Sequence, residues 1–251
     1  MIVRYTNGNH EYKVNLANGR DISIPIDFNQ VGPNCFYAPP PSVDAVVAGD
    51  FVGDTLRGGS VNFKNIHLNP HGNGTHTECV GHIAKEPVFI HDVLTVFHHL
   101  AQVVSVFPTI DDQGDKVITE RTLSQFLDQP SPVIIIRTLP NEEEKKSRNY
   151  SGTNPSYFEV EAISFLRDLG VQHLMTDLPS VDREEDGGLL LGHKAWWQYP
   201  EEVDYQKTIT EMIFVPDDLK DGLYLCNMQI LSLKLDASPS KVVLYPLEKV
   251  S

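Results

Sequence analysis

The chain has 251 residues, with 20 Lys and Arg against 34 Asp and Glu and a formal net charge of −14 at pH 7. Its cations are scattered, which excludes the basic face that nucleic acid or an anionic membrane requires, so a small-molecule partner is expected. A hydrophobic fraction of 41% and a charged fraction of 22% are those of an ordinary globular protein, and with no linker-like stretch they point to one domain over residues 1–251.

Three cysteines, Cys35, Cys79 and Cys226, form no CxxC pair. An odd number at wide spacing is no disulfide framework and fits a reducing compartment. The start, MIVRYTNGNHEYKVNL, lacks the apolar core of a signal peptide, and no apolar run approaches the roughly 20 residues of a membrane span. A cytoplasmic protein is expected.

In chain order, RDISIPI (20–26) alternates with period two and predicts a strand, followed by the proline-rich VGPNCFYAPPP, in which Phe36 and Tyr37 are anchors. VNFKNIHLN (61–69) alternates again. Val93, Val96, Phe97 and Leu100 are spaced for a short amphipathic helix over 92–100, closed by His98 and His99, and AQVVSVF reads as the next strand. SPVIIIRT (131–138) is a continuous β-branched run, as in a strand buried on both faces. NEEEKKSRNYSGTNP reads as a polar loop. Ser156 to Glu159 fits a capping box for a helix with Phe158, Ala162, Phe165, Leu166 and Leu169 on its apolar stripe and Gly170 at its end. VQHLMTDLPSVD supplies a strand and a loop, and 208–215, 223–233 and 241–247 predict three late strands. The sum is a strand-rich α/β chain.

The chemistry concentrates in HGNGTHTECVGH (71–82). Gly72-Asn73-Gly74 signals a turn, and the short THTE that follows is β-compatible, so His76 and Glu78 share a face. An imidazole nitrogen beside a carboxylate oxygen begins a site for a divalent metal. His71 lies across the turn and His82 four residues beyond Glu78. Taken alone, the same residues also fit solvated surface histidines, and the spacing leaves both readings open.

The stretch resembles the signature His-x-Gly-Thr-His-x-Asp-x-Pro-x-His of the cyclase-like metal-dependent hydrolases, the family of bacterial kynurenine formamidase and isatin hydrolase. The resemblance extends through GRDISIPI, VIIIRT, LMTDLPSVD, LGHKAWW and TITEMIFVPDDLKDGLYLC, in the family's order. It implies a single mixed-sheet α/β domain of the swivelling β/β/α type. It also implies metal ligands at His71, His76 and Glu78, a proton-shuttling His82, second-metal ligands at His193 and Glu211, and a substrate-lining loop at Phe36 and Tyr37. A homodimer or higher homo-oligomer is implied as well.

The cofactor implied is one or two divalent ions, zinc first and manganese second. The activity implied is an arylformamidase-like hydrolysis of a C–N bond in a small, aromatic amide, formamide or cyclic amide. Alternatives are a lactone hydrolase, a ring-closing cyclase, or a non-catalytic binding protein with a decayed site. No Gly-x-Ser-x-Gly elbow is present, which disfavours an acyl-enzyme route.

Four departures stand out. The family's first histidine lies four residues before the second, whereas His71 lies five before His76, so that Gly72 occupies the aligned position. Glu78 replaces the aspartate with an arm longer by one C–C bond (~1.5 Å), and Val80 replaces the proline. QYPEEVDYQ reads as an insertion between His193 and Glu211. Among the remaining candidates, Cys79 is read as a buried thiol, His67 as packed or solvated, Asp177, Ser180 and Asp182 as loop-fixing groups, and Trp196-Trp197 as core or subunit contact.

Overall fold

The computed structural model describes residues 1–8, 10–127 and 131–250. Ten strands make the main sheet: β1 (Ile2–Asn7), β2 (His10–Asn15), β3 (Arg20–Asp21), β4 (His76–Cys79), β5 (His98–Val106), β6 (Val133–Thr138), β7 (His173–Thr176), β8 (Thr208–Glu211), β9 (Gly222–Ile230) and β10 (Ala237–Lys249). Their order is β1-β2-β10-β9-β5-β6-β7-β8-β4, with β3 beside β10. Because β4 also pairs with β10, the seven strands from β10 round to β4 close into a barrel. Strands β5 to β8 run parallel, and β4, β9 and β10 pair antiparallel with their neighbours.

The β-branched run of β6 is buried at all six positions, and alternation explains why. Ile134 and Ile136 face a core shared with Ala162, Ile163, Leu166, Trp196 and Trp197, the buried face of helices α1 (Val160–Asp168) and α2 (Leu191–Trp197). Val133 and Ile135 face a second core with Cys79, Val103, Met175, Cys226, Met228 and Val242. Each such aliphatic side chain contributes on the order of 1.5–3 kcal/mol when withdrawn from water. Gly170, at φ +83, ends α1 in the left-handed conformation.

Several sequence expectations give way to tertiary pairing. The helix over 92–100 is cut short: a single turn covers Ile90–Val93, and His98 and His99 already pair with Asn227 and Cys226 of β9. Val96 and Phe97 are left exposed, so their helical spacing buries nothing. The capping box does not form, since Tyr157–Phe158 pair in parallel with Val117 and Ile118, and α1 starts at Val160 with no side-chain cap. Of 61–69 only Lys64–His67 is strand, exposed throughout and paired with Ser42–Ala45. Of 20–26 only Arg20–Asp21 is strand, joined by a single Ser23–Ile213 bridge. The polar loop contains a helical turn, Glu143–Lys146, whose Lys145 is buried. The hairpin of β1 and β2 is an addition to the sequence reading. Among the described residues, no helix is long and apolar enough to cross a membrane.

Candidate metal centre

The site is built on β4. Register places Glu211 of β8 opposite His76, and Ala237 of β10 opposite Glu78 on the other edge. Alternation then sends His76 and Glu78 to one face, while Thr77 bonds to Thr210 and Cys79 enters the second core. The turn before β4 is closed by Asn69 and Asn73. The Asn69 amide donates to Asn73 Oδ1 (2.7 Å) and the Gly72 amide to Asn69 Oδ1 (3.1 Å), which brings His71 back over the strand. His82 lies on the helical turn Val80–His82 that follows β4. His193 lies in the first turn of α2, where Asp182 accepts from the amides of Gly192 and His193.

Four imidazoles and four carboxylates converge. His71 places Nδ1 3.0 Å from Glu78 Oε2 and Nε2 2.8 Å from Asp236 Oδ2. His76 bonds through Nδ1 to the Gly74 carbonyl (2.9 Å) and aims Nε2 at Glu211 Oε2, 3.4 Å away. His193 bonds through Nδ1 to Asp182 Oδ2 (2.5 Å) and aims Nε2 at Glu78 Oε1, 3.2 Å away. In each of these three rings one nitrogen is tied to an acceptor. That fixes its hydrogen and leaves the neutral ring's lone pair on the nitrogen facing the glutamates. His82 is held least: Nδ1 is 3.6 Å from Asp236 and Nε2 is 4.0 Å from Glu78, beyond hydrogen-bond reach.

Two fully buried atoms, His76 Nε2 and Glu78 Oε1, have no hydrogen-bond partner among the described residues. Such orphans are rare and costly without an ion or other partner. Donor atoms from His71, His76 and Glu78 lie within 4.8 Å of one another, as do those from Glu78, His82 and His193 and those from His71, His82 and Asp236. Imidazole nitrogen with carboxylate oxygen is a donor set that zinc and manganese accept. The residues present therefore fit a divalent metal.

The electrostatics of the ion-free site agree. Burial alone would lower the pKa of His71, but its bonds to Asp236 and Glu78 outweigh burial and push it up to about 10. His193 is pushed up to about 10 in the same way, by Asp182 and Glu78 against burial. Glu78 is fully buried, which opposes its charge, yet His82, His193 and His71 hold it well below the usual carboxylate range. Hydrogen bonding to His71, with the His82 ring nearby, holds Asp236 low. Protons occupy positions that a cation would take.

The structure gathers His71, His76, Glu78, His82 and His193 in one place. Glu211 reaches only His76, with Oε1 accepting from the Val181 amide (3.1 Å), and it belongs to none of the three donor groupings. Phe36 and Tyr37 sit on a loop docked against the His71 turn through Cys35, whose amide donates to the Gly72 carbonyl (3.2 Å). Phe36 lines a small cleft with Ser180 and Asp182, whereas Tyr37 is exposed beside Ser151. His67 is exposed near Asp44, and Trp196 and Trp197 are core. Asp177 is paired with Lys145 beneath the site. Asp236 was not foreseen. It lies 165 residues from His71, inside LKLDASPS, which carries no spacing signal.

Comparison with known proteins agrees with this architecture. No curated protein matches the chain. Among solved structures, a predicted metal-dependent hydrolase from Bacillus stearothermophilus superposes with a TM-score of 0.63 at 16% identity, covering 90% of this chain and 97% of that one. Isatin hydrolase A from Labrenzia aggregata gives 0.64 at 14% identity, covering 92% and 94%. Isatin hydrolase A from Ralstonia solanacearum gives 0.62 at 14%, covering 91% and 92%. At these identities the likeness is one of fold. The sequence model of the Cyclase family matches residues 20–183, which include His71, His76, Glu78, His82 and Asp182, and the chain belongs to that family.

Proposed function

We propose that the protein is a metal-dependent hydrolase that cleaves the C–N bond of a small aromatic amide, formamide or cyclic amide, with zinc as its first metal and manganese its second. The observation that carries this reading is the preset donor arrangement. Three imidazoles are each anchored by one nitrogen and turned by the other toward Glu78 or Glu211, around buried atoms that lack partners. His71, His76 and Glu78 would hold the first ion, and His193 with Glu78 a second. When bound, such an ion supplies Lewis acidity that polarises a carbonyl and acidifies water near neutral pH.

The chain's own groups do the rest. Asp182 fixes the His193 ring and the Gly74 carbonyl fixes the His76 ring, so neither has to reorganise during turnover. His82 is partly exposed and free of tight hydrogen bonds, so its Nε2 can take a proton and return it to the departing nitrogen. Glu78 stays ionised and acts as an acceptor throughout.

The test is a zinc and manganese titration of metal-free protein, followed by a panel of aryl formamides, cyclic imides and lactones. Stoichiometric binding with turnover of the C–N substrates supports the reading. Turnover confined to lactones would move the chemistry to esters, and absence of bound metal would end the proposal.

A further inference from the structure

We propose that Asp236 is the positioning residue that allows His71 to serve as a metal ligand from a position one residue away from where the family signature places it. The inference rests on the metal-binding reading of the site above. It begins with Gly72, which occupies the aligned position. A Cβ added there would stand 2.2 Å from Ala38 Cβ and 3.3 Å from the Cys35 carbonyl oxygen. Ala38 has little room to yield, because its amide donates to the Cys35 carbonyl (3.1 Å) and its carbonyl accepts from Asn34 Nδ2 (3.0 Å). The turn therefore has no space for an imidazole at position 72, and any first ligand has to come from elsewhere.

His71 supplies it from the neighbouring position, at the half-exposed rim, where a histidine ring is free to turn and to place its hydrogen on either nitrogen. Asp236 removes both freedoms. A carboxylate only accepts, so the 2.8 Å contact puts the hydrogen on His71 Nε2. Glu78 Oε2, 3.0 Å from Nδ1, is a carboxylate too, so the ion-free ring carries a hydrogen on both nitrogens, and Nδ1, which faces the other donors, is the one that gives its hydrogen up to an ion. The arrangement matches the two interior histidines, where the Gly74 carbonyl and Asp182 play the corresponding part, except that His71 points inward with Nδ1 while they do so with Nε2. Asp236 is delivered by the barrel closure. Ala237 is in register with Glu78, and the Cys79 amide donates to the Asp236 carbonyl (3.0 Å), so the carboxylate lies beside the turn whether or not an ion is bound.

Zinc affinity, read by competition with a chelating dye in metal-free protein, tests this without recourse to turnover. Asp236→Ala is expected to weaken zinc about 10- to 100-fold. Asp236→Asn, whose carbonyl oxygen still accepts from His71 Nε2–H, is expected to stay within a few-fold of wild type. The double variant His71→Ala with Asp236→Ala is expected to bind no more weakly than His71→Ala alone, since Asp236 acts through that ring. Wild-type affinity in Asp236→Ala overturns the inference. So does an Asn variant as weak as the Ala variant, which would make the carboxylate itself a donor. Zinc bound without hydrolysis would sink the proposed function and leave this inference standing, whereas wild-type protein that binds no zinc removes both.

Discussion

His76 and Glu211 face each other across the antiparallel pairing of β4 with β8, their Cα atoms in register and His76 Nε2 3.4 Å from Glu211 Oε2. Glu211 has a second duty, because its other oxygen accepts from the buried Val181 amide. The two roles separate by substitution. Glu211→Gln retains an acceptor for Val181 and is expected to fold normally while reducing zinc affinity. Glu211→Ala also strands the amide and is expected to lose about 1–3 kcal/mol of stability in urea denaturation. Equal stability of the two variants would show that the Val181 bond contributes nothing.

Metal uptake is expected to release protons. His71 and His193 have pKa values raised to about 10, so both rings are charged at pH 7 in the ion-free protein and each must shed a proton to coordinate. Each ion engages one of these rings, so its affinity rises with pH by up to about tenfold per unit below pH 10. Calorimetry in two buffers of different ionisation enthalpy should count about one proton per ion, and about two when both sites fill.

The stability of the ion-free protein follows from the same shifts. The raised histidines stabilise the fold fully below their unfolded pKa, and that contribution is lost as pH rises through about 10. Glu78 and Asp236, whose pKa values are lowered, stabilise above the ordinary carboxylate range and lose their contribution as pH falls through their folded values. Melting temperature in chelator should peak at mildly acidic pH and decline toward pH 10. A flat profile would contradict the charge assignment.

His82→Ala is expected to lower kcat by about 10²–10⁴-fold while zinc remains bound through His71, His76 and Glu78. Metal content measured alongside initial rates separates this from loss of the ion.

The metal centre is also expected to select its substrate by charge. Glu78, Glu211, Asp182 and Asp236 surround it, and among the described residues none of them pairs with Lys or Arg. One divalent ion leaves the formal balance negative. A neutral aryl formamide is therefore expected to exceed a carboxylate-bearing analogue in kcat/KM by roughly tenfold, with a gap that narrows as salt rises. Preference for the anionic analogue would contradict this field.

Local chemistry made part of this molecule readable from its sequence. The Val133–Thr138 run announces burial on both faces, and the two-residue alternation of His76 and Glu78 is enough to put them side by side. What the sequence hid depends on partners far away in the chain. Val93, Val96, Phe97 and Leu100 carry a helical period, but pairing of β5 with β6 and β9 outweighs it. Ser156 and Glu159 have the spacing of a cap, but the two residues between them are drawn into a parallel pairing with Val117 and Ile118. Asp236 joins the site only through the register of β10 on β4, which no local pattern encodes.

That register has a further effect, because β4 has no free edge. Hydrogen bonded to β8 on one side and to β10 on the other, it keeps His76 and Glu78 standing in place before any ion arrives. Small zinc domains assemble their donors around the metal and unravel when it is stripped. Here the scaffold is expected to outlast chelation, so that one divalent ion can be exchanged for another according to supply without the chain having to refold.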